Sequence, residues 1–140
     1  ILFIISNQIV NMFTLRQIED AHSKVKSGAD FPQYIRDLIA MGVSRYSIYV
    51  NDGHAEYVGN DGHTVLSEAE YEKLHIISDT DIIKFKQYLR AHQQGKTNYF
   101  TFCENSAETG IYKWEIDTAN KTCIYYDSFG NFVLEEKIPI

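Results

Sequence analysis

No glycine-rich phosphate loop, G-x-S-x-G elbow or H-E-x-x-H helix motif occurs in this 140-residue chain. The compact signatures of nucleotide binding, acyl transfer and zinc hydrolysis are thereby missing. The two cysteines, Cys103 and Cys123, show no C-x-x-C spacing and no pattern of a secreted disulfide framework. Both are read as reduced thiols of a cytoplasmic protein, and no cofactor or metal is expected. Two prolines are too few for a disordered chain. The opening run Ile1-Leu2-Phe3-Ile4-Ile5 is broken by Asn7, Gln8 and Asn11, far short of the ~20 residues of a membrane span. It has no basic residue before it, as a signal would. It reads as an extension before the domain, or as an edge strand docked on it.

Positive charge is scarce as well. Thirteen Lys and Arg face nineteen Asp and Glu, a formal net charge of −6. Binding to phosphate backbones depends on cationic contacts, so this balance opposes it. The densest basic stretch, Lys84-Phe85-Lys86 with Arg90 and Lys96 beyond, reads as the solvated face of a helix. Neither a nucleic acid nor a membrane is expected as a partner.

Aromatic residues, in contrast, are plentiful, with ten Tyr and eight Phe. They favour strands or a stacking surface. The length suits one domain with its own core. Thr14-Leu-Arg-Gln17 is a capping box that opens a helix carrying Leu15, Ile18, His22 and Val25, with Ser27-Gly28 as its stop. Asp30 is placed to cap a second helix with the stripe Tyr34, Ile35, Leu38 and Ile39, closed by Gly42. The period then changes to two. Tyr46, Ile48 and Val50 share one strand face, and Arg45, Ser47 and Tyr49 the other. Asp52-Gly53 suits a two-residue turn that sets Val50 opposite Ala55 and Ile48 opposite Tyr57. Asn60-Asp61-Gly62-His63 leads into a third strand near Thr64–Leu66.

The second half repeats this plan. Ser78 or Thr80 is expected to cap a helix bearing Ile82, Phe85, Leu89 and His92, ended by Gly95. These four sit 67 residues after Leu15, Ile18, His22 and Val25. Beyond one insertion near Lys96 the offset becomes 68: Tyr34 maps to Phe102, Gly42 to Gly110, Tyr46 to Trp114, Ala55 to Cys123 and Tyr57 to Tyr125. Asp52-Gly53 lands on Asn120-Lys121, with Asn120 as the left-handed turn residue. The expected architecture is therefore α+β. Two duplicated ααβββ units with antiparallel meanders are related by a pseudo-two-fold axis. Residues 1–12 form the extension or edge segment, 13–66 the first repeat, 67–79 a connector with a short helical turn at Ser67–Glu70, and 80–134 the second repeat.

Several strings carry a resemblance: Met12-Phe-Thr-Leu-Arg-Gln-Ile-Glu-Asp-Ala-His22, Ser27-Gly-Ala-Asp-Phe-Pro32 and Tyr49-Val-Asn-Asp-Gly-His54. His92-Gln-Gln-Gly95, Thr101-Phe-Cys103, Gly110, Lys113-Trp114 and Thr122-Cys123-Ile-Tyr-Tyr-Asp127 continue it. Over about residues 12–138 the chain resembles the YdfO/YbcV-like family of small prophage proteins. The resemblance implies a domain of unknown function, with some members labelled "phage envelope protein". It brings no catalytic residues.

The remaining constellations read as structure first. The two Asn-Asp-Gly-His segments are turns at opposite ends of a strand of roughly 17 Å, too far apart to share an ion. Cys103 stacks with Tyr99 and Ala107 on one helical stripe, and Cys123 with Tyr125 on a strand face, so both are core thiols. His22 and His92 lie on the stripes of the two first helices, where a pseudo-axis can bring them together. Tyr49 and Val58 fall on the face opposite Tyr46 and are candidates for a joint apolar patch. These four are the weak binding candidates. The leading reading is a non-catalytic protein-interaction module whose partner is a host or phage protein. A small-ligand binder using the cleft between the repeats is the alternative, and a small enzyme ranks last.

Overall fold

The computed structural model describes residues 12–26 and 28–139, so the expected N-terminal segment, residues 1–11, lies outside it. Helix α1, Leu15–His22, opens on the capping box. The Gln17 amide donates to Thr14 Oγ1 at 3.2 Å, and the Thr14 amide donates to Gln17 Oε1 at 2.9 Å. The helix ends earlier than the expected Ser27-Gly28 stop. Ser23 Oγ donates to the Asp20 carbonyl at 2.6 Å, satisfying a last-turn acceptor locally. A 3₁₀ turn at Gly28–Asp30 leads into α2, Phe31–Met41. Asp30 stands at its N-cap without capping it; its carboxylate accepts from the Lys26 amide at 2.9 Å.

Strands β1 (Val43–Tyr49), β2 (Ala55–Gly59) and β3 (Thr64–Leu66) follow. Then come α3 (Ile82–Gln93), α4 (Tyr99–Glu108), β4 (Ile111–Asp117), β5 (Thr122–Asp127) and β6 (Phe132–Lys137). Asp81 caps α3 by accepting from the Lys84 amide at 3.0 Å, in place of Ser78 or Thr80. Asn98 caps α4. All pairings are antiparallel, in one six-stranded sheet of order β3-β2-β1-β4-β5-β6. The class is α+β, as expected. No helix among the described residues is long and apolar enough to cross a membrane.

The first hairpin differs in register from the two-residue turn. Ile48 pairs with Ala55 and Tyr46 with Tyr57, leaving residues 50–53 as the loop. Gly53, at φ +78°, closes that loop by donating its N–H to the Tyr49 carbonyl at 2.8 Å. The slip is two residues, one full side-chain period, so every side chain keeps its expected face. In the β4–β5 turn Lys121, not Asn120, is left-handed, at φ +57°. A side chain there is strained, whereas glycine is not. Lys121→Gly is therefore expected to stabilise the fold by about 0.5–1 kcal/mol and to raise Tm by roughly 2–4 °C. A thermal melt in which Tm is unchanged or lower would refute this.

The helices pack on one sheet face. Tyr46, Ala55, Tyr57, Trp114, Ile116, Cys123 and Tyr125 from the strands and Val50 from the first hairpin loop join Ile18, Ile35, Leu38, Phe85, Leu89 and Phe102 from the helices in one buried cluster. The connector has no helical turn at Ser67–Glu70. It runs as an irregular strap over the first hairpin loop. The Glu70 amide donates to the Asp52 carbonyl at 2.8 Å, the Leu74 amide to Asn51 at 2.6 Å, and the Ile77 amide to Ala107 of α4 at 3.2 Å. Tyr71 Oη donates to the Val50 carbonyl at 2.7 Å. Its ring lies so close over Gly53 that a Cβ there would sit 2.7 Å from it.

Candidate functional site

The strand face away from the core carries side chains in rows, because directly paired residues of adjacent strands point the same way. The first row is Tyr49 on β1, Lys113 on β4, Tyr126 on β5 and Phe132 on β6, each paired with the next. His54 extends it, since the Tyr49 amide donates to the His54 carbonyl at 3.0 Å. The His54 and Tyr49 rings stack with centroids 4.5 Å apart and planes 5° from parallel. Tyr112 meets Tyr49 edge-on at 5.7 Å. The Lys113 ammonium lies 5.8 Å from the Tyr49 ring centroid and 5.2 Å from that of Tyr126, so it sits in the field of two π faces. His54 is oriented by its contact with Asp52, Nδ1 to Oδ1 at 2.6 Å. Burial opposes the Asp52 carboxylate, yet the His54 amide and ring outweigh it and hold its pKa below the ordinary range.

Two residues along the strands lies a second row: Glu56, Ser47, Glu115, Ile124 and Glu135. Ser47 Oγ donates to Glu115 Oε2 at 3.3 Å. The ion pairs among the described residues are His54–Asp52 and Lys84–Glu108, so none of these three glutamates has a cationic partner there. Their charge reaches the rings. Partial burial, then Glu56, Tyr112 and Glu115, pushes the Tyr49 hydroxyl above its ordinary pKa. Burial, then Glu115 and Glu135, does the same for Tyr126.

Neither row belongs to the core cluster. Phe132 at the end of the first row is 61% exposed, and Leu66, paired with Glu56, is 58% exposed. The ring and cation contacts of Tyr49 and Lys113 are all to strand or turn residues.

The candidates from the sequence fall in different places. Tyr49 is in the aromatic row. Val58 shares its sheet face but pairs with Arg45 and Thr64, four positions and roughly 13 Å along the strand from Tyr49. The joint Tyr49/Val58 patch does not form, because the row of Ser47, Glu56 and Glu115 lies between them. His22 is exposed at the end of α1, edge-on to Tyr34 of α2 at 5.2 Å. His92 is half-buried on α3, where it stacks on Phe102 of α4 at 4.7 Å and its Nδ1 lies 3.1 Å from the Thr97 carbonyl. Each histidine thus packs within its own helix pair, and these contacts do not join them.

The turn histidines also take separate partners: His54 meets Asp52, and His63 Nε2 meets the Phe13 carbonyl at 2.8 Å. Both cysteines are free and buried. Burial pushes the Cys123 thiol up to about 12 and raises that of Cys103, which favours the protonated thiol over the nucleophilic thiolate.

Lys113, Tyr126 and Phe132 are not singled out in the sequence, where His54 reads as a turn residue. One signal pointed to Tyr126: it is the counterpart of Val58 at the offset of 68. Two open grooves also occur. One of about 370 Å³ is bounded by Phe13, Gln17, Met41 and Gly42, and one of about 290 Å³ lies between α3 and β6, beside Leu89 and Leu134. Neither is at the β1–β4 junction.

These features define an α+β protein with helices on one face of an antiparallel sheet and, among the described residues, an aromatic second face that carries no helix. The chain belongs to the family described as "Protein of unknown function (DUF1398)", which matches residues 19–137. No curated protein matches it.

Proposed function

We propose that this protein is a non-catalytic interaction module that docks another protein on the open face of its sheet. The row His54–Tyr49–Lys113–Tyr126–Phe132 carries this reading. Tyrosine is enriched in interface hot spots, where a rigid ring supplies contact area at low entropic cost. Among the described residues both thiols are buried, and His54, His63 and His92 are held in structural contacts, which favours binding over catalysis. The resemblance to prophage proteins makes a host or phage protein the class of partner. A cytoplasmic location without nucleic acid fits the net charge of −6. Against the ligand-cleft alternative, the two grooves described above both lie away from the β1–β4 junction.

The same proposal includes an internal duplication, with repeats at 13–66 and 80–134. The β1–β2 register recurs in β4–β5: Tyr46↔Tyr57 corresponds to Trp114↔Tyr125, and Ile48↔Ala55 to Ile116↔Cys123. Both hairpins carry a register shift at the equivalent place, Val43/Arg45 and Ile111/Lys113. The β1–β4 pairing is centred on Ser47↔Glu115, two residues that are themselves 68 apart. A pseudo-two-fold axis would pass between them. Across it Tyr49 corresponds to Asp117, Lys113 to Arg45 and Tyr126 to Val58, so one end of the open face is aromatic and the other is not.

The test compares a Tyr49→Ala/Tyr126→Ala double variant with Val58→Ser in capture experiments from host lysate, each variant first shown to keep its far-UV spectrum and Tm. A partner retained by wild type and by Val58→Ser, but reduced at least tenfold with the double variant, is the expected result. Equal capture by all three proteins overturns the reading.

A further inference from the structure

We propose that the partner is a proline-containing, arginine-rich segment in polyproline II conformation, lying across the strands over the two rows of the open face. This rests on the docking reading above and adds the chemistry of the partner. Sequence order in the sheet is the first observation. Tyr49 on β1 and Tyr126 on β5 are separated by one strand, and Glu56, Glu115 and Glu135 occupy β2, β4 and β6, every second strand. Neighbouring strands are ~4.8 Å apart, so the two tyrosines stand ~9.6 Å from each other and the acidic positions repeat at ~9.6 Å across the sheet. A polyproline II helix rises 3.1 Å per residue with three residues per turn, so one of its edges repeats every ~9.3 Å. Every third residue of such a segment meets a glutamate, while its next edge rests on the tyrosines. An extended β-type ligand, with side chains on one face ~6.8 Å apart, does not match that repeat.

Charge is the second observation. Glu56, Glu115 and Glu135 lack ion-pair partners among the described residues, in a chain of net charge −6. A cationic edge supplies what they lack, and arginine adds a planar group that stacks on tyrosine. Lys113 already shows how a cation is held here, with its ammonium within 6 Å of two tyrosine centroids. Proline rings pack flat on aromatic side chains, and the segment has little conformational freedom to lose, as in other aromatic-lined grooves for proline-rich peptides.

The probes are three labelled twelve-residue peptides, (Arg-Pro-Pro)₄, (Arg-Gly-Ser)₄ and (Glu-Pro-Pro)₄, titrated against the whole protein by fluorescence anisotropy at 150 mM salt. The first is expected to bind at least tenfold more tightly than either of the others. Glu115→Gln/Glu135→Gln and Tyr49→Ala/Tyr126→Ala should each weaken it at least tenfold, with Tm retained. Both pairs point away from the core, and Glu→Gln keeps shape, so misfolding does not confound the result. Equal binding of (Arg-Gly-Ser)₄ reduces the effect to charge alone and overturns the proposal. So does absence of (Arg-Pro-Pro)₄ binding, or indifference to either double variant. If lysate capture still depends on Tyr49 and Tyr126 while this peptide fails to bind, the partner chemistry is wrong and the docking face stands. If both fail, the docking reading itself falls.

Discussion

Above about pH 10 the protein is expected to unfold cooperatively, with its buried tyrosines ionising only as it does so. Tyr34, Tyr46 and Tyr125 are all buried in the core cluster. Burial raises the pKa of each well above the ordinary value of 10.0. Neighbouring tyrosines add to this for Tyr34 and Tyr46, and Cys123 and Glu136 for Tyr125. The charged form of a phenol is the deprotonated one, so burial makes the folded state hold its proton more tightly than the unfolded chain. The resulting stability is fully present below pH 10 and falls as the pH rises above it. Each such group removes about 1.4 kcal/mol per pH unit, or roughly 4 kcal/mol per unit for the three together. A typical stability of about 5–15 kcal/mol is then exhausted within about one to four units. Cys123, raised to about 12 by burial, adds in the same direction from about pH 9. Tyrosinate absorbance at 295 nm should therefore rise in step with loss of the far-UV circular dichroism signal. A smooth titration centred near pH 10 with the fold retained would show these hydroxyls to be solvent-accessible.

Phe85→Ala is expected to cost about 3–5 kcal/mol, the usual loss for a large aromatic removed from a core. Phe85 is fully buried, 0% exposed, with Tyr125 edge-on at 5.0 Å and Phe102 at 6.0 Å. It ties α3 both to α4 and to β5, so the void it leaves borders three elements that cannot all close on it. Two residues earlier on the same helix, Ile83 is 70% exposed. Ile83→Ala removes a smaller apolar group that lies mostly in solvent and should stay within about 0.5 kcal/mol of wild type. Urea denaturation of both variants separates core packing from helix propensity. A Phe85→Ala loss no larger than that of Ile83→Ala would mean the ring is not a packing centre.

Local signals were legible where a few adjacent residues settle the matter. The Thr14–Gln17 capping box forms as written, and Gly42 and Gly95 end their helices at positive φ. The third strand lies at Thr64–Leu66, as its turn signal implied. Signals with several local solutions were not decided locally. Ser78, Thr80 and Asp81 can each cap a helix, and the choice of Asp81 is tied to its own amide, which donates to the Thr109 carbonyl at 3.0 Å. Asp30 is likewise diverted from its cap by the Lys26 amide.

What the sequence determined by itself is the face of each strand side chain. Alternation in Arg45–Val50 separates Tyr46 from Tyr49 whatever the register, because a slip of two residues leaves the faces unchanged. That is why the hairpin loop came out longer than expected while the core side stayed the same. Only the tertiary structure decided which outer residues meet. Tyr49 and Val58 are nine residues apart in the chain and sit at opposite ends of their hairpin. Tyr49 and Lys113 are far apart in the chain and are paired, because β1 chose β4 as its second neighbour. Periodicity within a strand carries its facing direction, whereas the neighbour across the sheet depends on the order and register of strands joined by long connections. The candidate site is a row across four strands, so it came into being only with that order.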